Sequence, residues 1–160
     1  TAASAARRAT PRRSRYGPMR EITGVHRLRV RYNEADSMGV TYYANYLNWF
    51  TLGRTELLRD LGLPYAQLER AGLLLPVLEV HCRYLAPTAY DDPIRIETTL
   101  AHLSRTRMGF RYLVYLETAP ERLAAEGSTE HAFVDRHLRP IDIKKRFPEV
   151  WQRLCELVGN

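Results

Sequence analysis

Tyr32-Asn-Glu-Ala-Asp-Ser-Met-Gly-Val-Thr-Tyr-Tyr-Ala-Asn-Tyr46 separates two kinds of sequence. Upstream of its first residue the chain alternates. His26, Leu28, Val30 and Tyr32 point one way and Arg27, Arg29 and Arg31 the other, the period of a half-buried strand. Downstream, apolar residues recur at Tyr43, Tyr46, Leu47, Phe50, Leu57, Leu58 and Leu61, which predicts a helix of about five turns. Gly53 falls on the same stripe, where a missing side chain lets a helix lie close to a sheet. Gly62 and Pro64 end the helix.

Beyond the helix, Tyr65–Ala71 reads as a short second helix closed by Gly72. The apolar segment Leu73–Leu85 is β-rich, with Pro76 predicting a bulge or a sheet edge. Tyr90–Pro93 is a turn. Ile94, Ile96, Thr98, Leu100 and His102 then alternate with polar neighbours, as do Met108, Phe110, Tyr112, Val114 and Leu116 after a turn at Ser104–Arg107. Leu123–Asp135 is a last strand and Trp151–Val158 a short C-terminal helix. Strand, long helix and four more strands make an α+β architecture, one long helix against an antiparallel sheet. Two open sheet edges predict association of the chain with itself.

The 160 residues suit a single domain over 21–160, and no apolar run approaches a membrane span. The net charge of +6 resides in residues 1–20, which hold six of the 24 basic residues and no acid; 18 basic and 18 acidic residues remain. The body is therefore neutral, and a dedicated nucleic-acid surface is not implied. Residues 1–20 lack the apolar core of a secretory signal. They read as a disordered extension, with an organelle transit peptide as the second reading and organellar import as its consequence; otherwise a cytoplasmic protein is expected. Cys82 and Cys155 fit neither a CxxC pair nor a zinc cluster and are read as reduced.

The segment from Tyr32 to Tyr46 is where chemistry is expected. A helix N-terminus offers free N–H groups and about half a positive charge, a ready seat for an oxyanion. Asp36 lies a few residues upstream, and Gly39 permits a close backbone approach or a positive φ. Local pattern alone favours a plainer role for Asp36, as a cap or turn residue.

The same segment resembles the signature of hotdog-fold thioesterases of the 4-hydroxybenzoyl-CoA thioesterase type, including those associated with the Tol–Pal system. Asp36, Gly39, Val40, Tyr42, Ala44, Asn45 and Tyr46 match it, as do Arg54-Thr55-Glu56, Arg83-Tyr84 and Phe133-Val134-Asp135, so the likeness covers about residues 24–140. It implies a hotdog fold, a five-stranded antiparallel sheet wrapped around one long central helix. It implies an acyl-CoA thioesterase for fatty or aromatic acyl groups, with Asp36 as nucleophile or general base. The backbone N–H of Tyr43 would polarise the thioester carbonyl, and Gly39, Val40, Tyr42 and Asn45 would contact substrate. Many relatives carry His where this chain has Tyr43; the backbone role survives that change. No metal or cofactor is implied, CoA being part of the substrate. The implied assembly is a homodimer or a dimer of dimers, with no specific nucleic acid.

Other residues weigh less. Glu34 reads as a solvated or structural charge. Glu56 reads as structural, paired with Arg59 or Arg54. Arg105, Arg107, Arg111 and Arg136 are candidates for CoA phosphates, since Arg suits phosphate. A hotdog dehydratase would need a His on or before the long helix, and none lies between 27 and 80. An acyl-carrier-protein thioesterase and a non-catalytic acyl-binding protein are the remaining alternatives.

Overall fold

A computed structural model describes residues 19–159. The extension predicted for residues 1–20 lies outside them apart from Met19, which packs against the core, and Arg20, whose N–H donates to the Val158 carbonyl at 3.0 Å. The elements are β1 (Ile22–Arg29), α1 (Asn45–Asp60), α2 (Tyr65–Ala71), β2 (Val77–Tyr84), β3 (Pro93–Leu103), β4 (Arg107–Leu116), β5 (Arg122–Ala132), α3 (Ile143–Arg146) and α4 (Pro148–Val158). All strand pairs are antiparallel, in the order β1-β3-β4-β5-β2. The expected α+β fold, a five-stranded antiparallel sheet around one long helix, is what forms.

Helix α1 buries Tyr46, Trp49, Phe50, Gly53, Leu57 and Leu58. Phe50 stacks on Tyr112 of β4 with centroids 4.3 Å apart. Gly53 is where helix and sheet come closest: a Cβ there would lie 2.3 Å from Thr98 Oγ1 and 3.1 Å from Ile96 Cγ2. The alternation in β3 and β4 holds through Ile94, Ile96, Thr98 and Leu100 and through Met108 to Leu116, all buried. Each fully buried aliphatic or aromatic side chain contributes about 1.5–3 kcal/mol relative to exposure.

Several expectations are corrected. Tyr32 does not continue the inward row of His26, Leu28 and Val30; the strand ends at Arg29, and Tyr32 opens a 3₁₀ turn with its side chain 82% exposed. Trp49, outside the predicted stripe, is fully buried, whereas Tyr43 precedes α1 and is exposed. A bulge between Leu100 and His102 shifts the phase of β3, so Leu103 takes the buried place and His102 pairs with Glu130 at 2.8 Å. The last strand ends at Ala132, not Asp135, and the short helix α3 forms where the periodicity predicts no element. Pro76 does mark an edge: β2 is the border strand and its register shifts just after it, between Val77 and Glu79. Both cysteines are free.

Candidate active site

The segment after β1 folds back on itself before entering α1. Ala35 bridges Thr41, Asp36 N–H donates to the Val40 carbonyl at 2.9 Å, and Gly39 N–H returns to the Asp36 carbonyl at 3.0 Å. Gly39 makes this reversal at φ +79, and nothing lies within 4 Å of where its Cβ would be. Asp36 is half-buried. Its Oδ1 accepts the Met38 N–H at 2.8 Å, an Asx-type turn. The turn role is therefore real, but it occupies one carboxylate oxygen; among the described residues no group is bonded to Oδ2. Asp36 does not cap α1, whose N-cap is Ala44 with no side-chain bond.

Glu34 holds the base of this loop. One carboxylate oxygen accepts the Arg31 N–H at 2.7 Å and the other the Trp49 indole N–H at 3.1 Å. Its carbonyl accepts from Tyr42 N–H at 2.8 Å and from the Asn45 side-chain amide at 2.9 Å. The structural reading of Glu34 thus holds, and the residue ties the loop to the buried face of α1. Asn45 spends its amide on the same joint. No signal in the sequence pairs Glu34 with Trp49, fifteen positions on, before the loop and helix are folded together.

The helix begins through i→i+3 bonds, a 3₁₀-like lead-in. Asn45 N–H reaches the Tyr42 carbonyl at 2.9 Å, Tyr46 N–H the Tyr43 carbonyl at 3.4 Å and Leu47 N–H the Ala44 carbonyl at 3.1 Å. Tyr43 therefore stands in the turn before the first helical residue, not in the helix. Among the described residues nothing accepts from the N–H of Tyr43 or Ala44. Tyr84 of β2 donates its hydroxyl to the Tyr43 carbonyl at 2.9 Å, which pins the turn to the sheet edge. The rings of Tyr42 and Tyr43 meet at 4.6 Å. The Tyr42 hydroxyl is held above its ordinary pKa by its bond with Tyr43 first, and also by the nearby charge of Asp36.

Two concavities flank these residues. Val40 lines an open cleft of about 420 Å³ with Pro87, Thr88, Asp92, Leu116 and Arg122. The second, of about 60 Å³, lies farther along α1, between Thr51, Arg54, Thr55 and Leu58 on one side and Tyr65, Leu75, Phe110 and His131 on the other. Of the arginines considered for phosphate, Arg105 pairs with Asp142, Arg111 with Glu21 at 2.8 Å, and Arg136 donates to the Arg70 carbonyl. Glu56 pairs with Arg59 at 3.6 Å, not with Arg54. No cluster of three or more His, Cys, Asp or Glu side chains suited to a metal occurs among the described residues.

The sequence model of the thioesterase-like superfamily matches residues 30–154. YneP of Bacillus subtilis, which carries a provisional acyl-CoA thioesterase name, is 33% identical over 130 residues, 81% of this chain and 92% of its own. The crystal structure of a DHNA-CoA thioesterase from Staphylococcus aureus superposes with a TM-score of 0.79 at 29% identity, covering 84% of this chain and 90% of that one. A chloroplastic acyl-acyl carrier protein thioesterase of Arabidopsis thaliana, ATL3, is 28% identical over 72% of this chain and 60% of its own.

Proposed function

Because the chain belongs to the thioesterase-like superfamily, we propose that it is a thioester hydrolase that converts an acyl-CoA to the free acid and CoA. The observation that carries the reading is the pairing, within one motif, of a carboxylate with a free oxygen and a turn whose N–H groups lack acceptors. The acyl carbonyl docks against the N–H of Tyr43 at the mouth of α1, where developing negative charge is stabilised by about 3–4 kcal/mol per donor. Asp36 either attacks the carbonyl carbon, expelling the CoA thiolate and leaving a mixed anhydride that water cleaves, or removes a proton from the attacking water. The Met38 N–H fixes the carboxylate, so that its other oxygen is presented without a search over rotamers. Gly39, Val40 and Tyr42 border the substrate, and Asn45 supports them from beneath. The reaction needs no metal or redox cofactor, since CoA arrives with the substrate.

The finer reading places the chain with the 4-hydroxybenzoyl-CoA and Tol–Pal-associated type, acting on fatty or aromatic acyl groups in the cytoplasm. Among the described residues no helix is long and apolar enough to cross a membrane. A second copy is part of this reading. β2 leaves one backbone edge unpaired and exposes Leu78, Val80 and Tyr84, an edge that a two-fold partner would extend as a homodimer or a dimer of dimers. An acyl-carrier-protein substrate is the second reading, favoured by the likeness to ATL3.

The test is turnover of a panel of acyl-CoAs and the matching acyl-carrier-protein thioesters by wild type and Asp36→Asn. A loss of at least about 100-fold in kcat with an unchanged melting temperature is expected. An Asp36→Asn enzyme at wild-type rate would remove Asp36 from the mechanism. Tyr43→Pro, which deletes the donor, must lose activity while remaining folded by circular dichroism. Rapid-quench trapping of acyl groups on Asp36 separates attack from general-base action.

A further inference from the structure

Leu47, Thr51 and Arg54 follow one another at helical spacing on the less buried face of α1, so that a row runs along the helix from the turn that holds Tyr43, the proposed carbonyl site, and meets the buried Leu58 at its far end. Arg54 is nine residues beyond Asn45, the first residue of α1, about 14 Å along the axis at 1.5 Å per residue. Exposed apolar side chains of β2 flank the start of the row; Tyr84 stands against both Tyr43 and Tyr46. The row ends at the small cavity of about 60 Å³ beside Arg54.

His131, in the wall of this cavity, belongs to a directed chain of hydrogen bonds that runs behind it. His131 is fully buried, and burial pushes its pKa down to about 4, so the ring is neutral. Its Nδ1 lies 3.0 Å from the Leu75 carbonyl, which only accepts, so the ring proton sits on Nδ1. Nε2 must then accept from Thr129 Oγ1 at 2.8 Å, and Thr129 in turn accepts from the Tyr112 hydroxyl at 2.7 Å. Tyr112 donates its hydroxyl proton into this chain and keeps it, and the Arg54 guanidinium is near enough to act on the phenol electrostatically. Every side chain of this hydrogen-bonded chain is neutral. Among the described residues no carboxylate pairs with Arg54; Glu56 is held by Arg59, and Glu69 approaches the Tyr65 hydroxyl instead. Arg54, partly buried, thus lines this cavity with no carboxylate of the described residues paired to it. A guanidinium pairs strongly with a carboxylate through two parallel N–H···O bonds.

We propose that Arg54 is a specificity residue that receives a carboxylate at the distal end of the acyl group, so that the preferred substrates are thioesters of dicarboxylic or otherwise acid-tipped acids. This rests on the thioesterase reading of the α1 N-terminus and adds to it the chemistry of the far end of the substrate. The neutral chain through His131 places no charge of its own beside the guanidinium, while Glu69 acts on the Tyr65 side of the cavity.

The experiment measures binding, which does not depend on turnover. Non-hydrolysable acyl-CoA thioethers are prepared as pairs of equal chain length, one ending in methyl and one in carboxylate, over a series of lengths. Isothermal titration of the full chain is expected to show the carboxylate form binding at least about 10-fold tighter at the matching length. Arg54→Gln should bring the ratio to about one, and Arg54→Lys should retain part of it. Thr51→Glu, which places an acid one turn before Arg54 on the same face, should also abolish the preference while leaving the core intact. Equal binding of the two forms by wild type would overturn the proposal, and would mean that another carboxylate already neutralises Arg54. A preference that survives both Arg54→Gln and Thr51→Glu would overturn it as well. Failure of the parent reading shows separately, as absence of hydrolysis of every thioester in the panel.

Discussion

The two long faces of α1 obey different rules. One is pressed into the sheet until Gly53 leaves no room for a methyl group against Thr98, and it buries Trp49, Phe50 and Leu57. The other, through Leu47, Thr51 and Arg54, is less buried, and Thr51 and Arg54 line a small cavity with Phe110 and His131 of the sheet. Rigid packing on the first face holds still what the second presents. The joint between them is Glu34, whose carboxylate reaches the buried Trp49 while its carbonyl holds the Asp36 loop. A substitution on the packed face should therefore appear as lost stability, and one on the open face as changed binding or turnover.

The largest effect is expected from Gly53→Val. The new side chain has no space before Thr98 and Ile96, and the loss should be about 3 kcal/mol or more in urea unfolding. A variant of wild-type stability would show that α1 rides loosely on the sheet. Next is the pH dependence contributed by His131. Its folded pKa of about 4 lies below the ordinary 6.5, so the unfolded chain binds the extra proton. The stabilisation is complete above about pH 6.5 and is lost as pH falls toward 4, on the order of 2–3 kcal/mol across that window. Urea midpoints at half-unit steps of pH read this, and a flat profile would mean that the ring titrates in the open. Glu34→Gln keeps one acceptor of two, and should cost about 1–2 kcal/mol while lowering turnover through the displaced loop. Unchanged activity there would break the link drawn between the two faces. The smallest effect belongs to Thr98→Val. Its buried hydroxyl has no partner among the described residues, so the change should be neutral or stabilising by less than about 1 kcal/mol, by thermal melting.

The packed face was the more legible of the two. Periodicity placed α1 within two residues at its N-terminus, found the buried rows of β3 and β4, and pointed to Gly53 as a close approach. It failed where a local irregularity changed the phase: at Tyr32, where the chain leaves the strand for a 3₁₀ turn, and at His102, past a bulge. Alternation cannot register an inserted residue until the partner strand is known. The open face was legible only as a motif. Asp36 and Tyr43 stood out through their resemblance to a family, while the roles of Glu34, Trp49 and Arg54 rest on partners distant in sequence.

The order of apolar and polar residues by itself determined that a long helix would pack on an antiparallel sheet, because burial follows periods of 3.6 and 2. It also determined that a carboxylate and a glycine would precede that helix. Only the tertiary structure decided the sheet order, which of the Asp36 oxygens is left free, and that Glu56 turns to Arg59 and leaves Arg54 facing a cavity. Hydrogen bonds and ion pairs are settled by distances of a few ångströms between residues far apart in the chain, and those distances exist only once the core has closed.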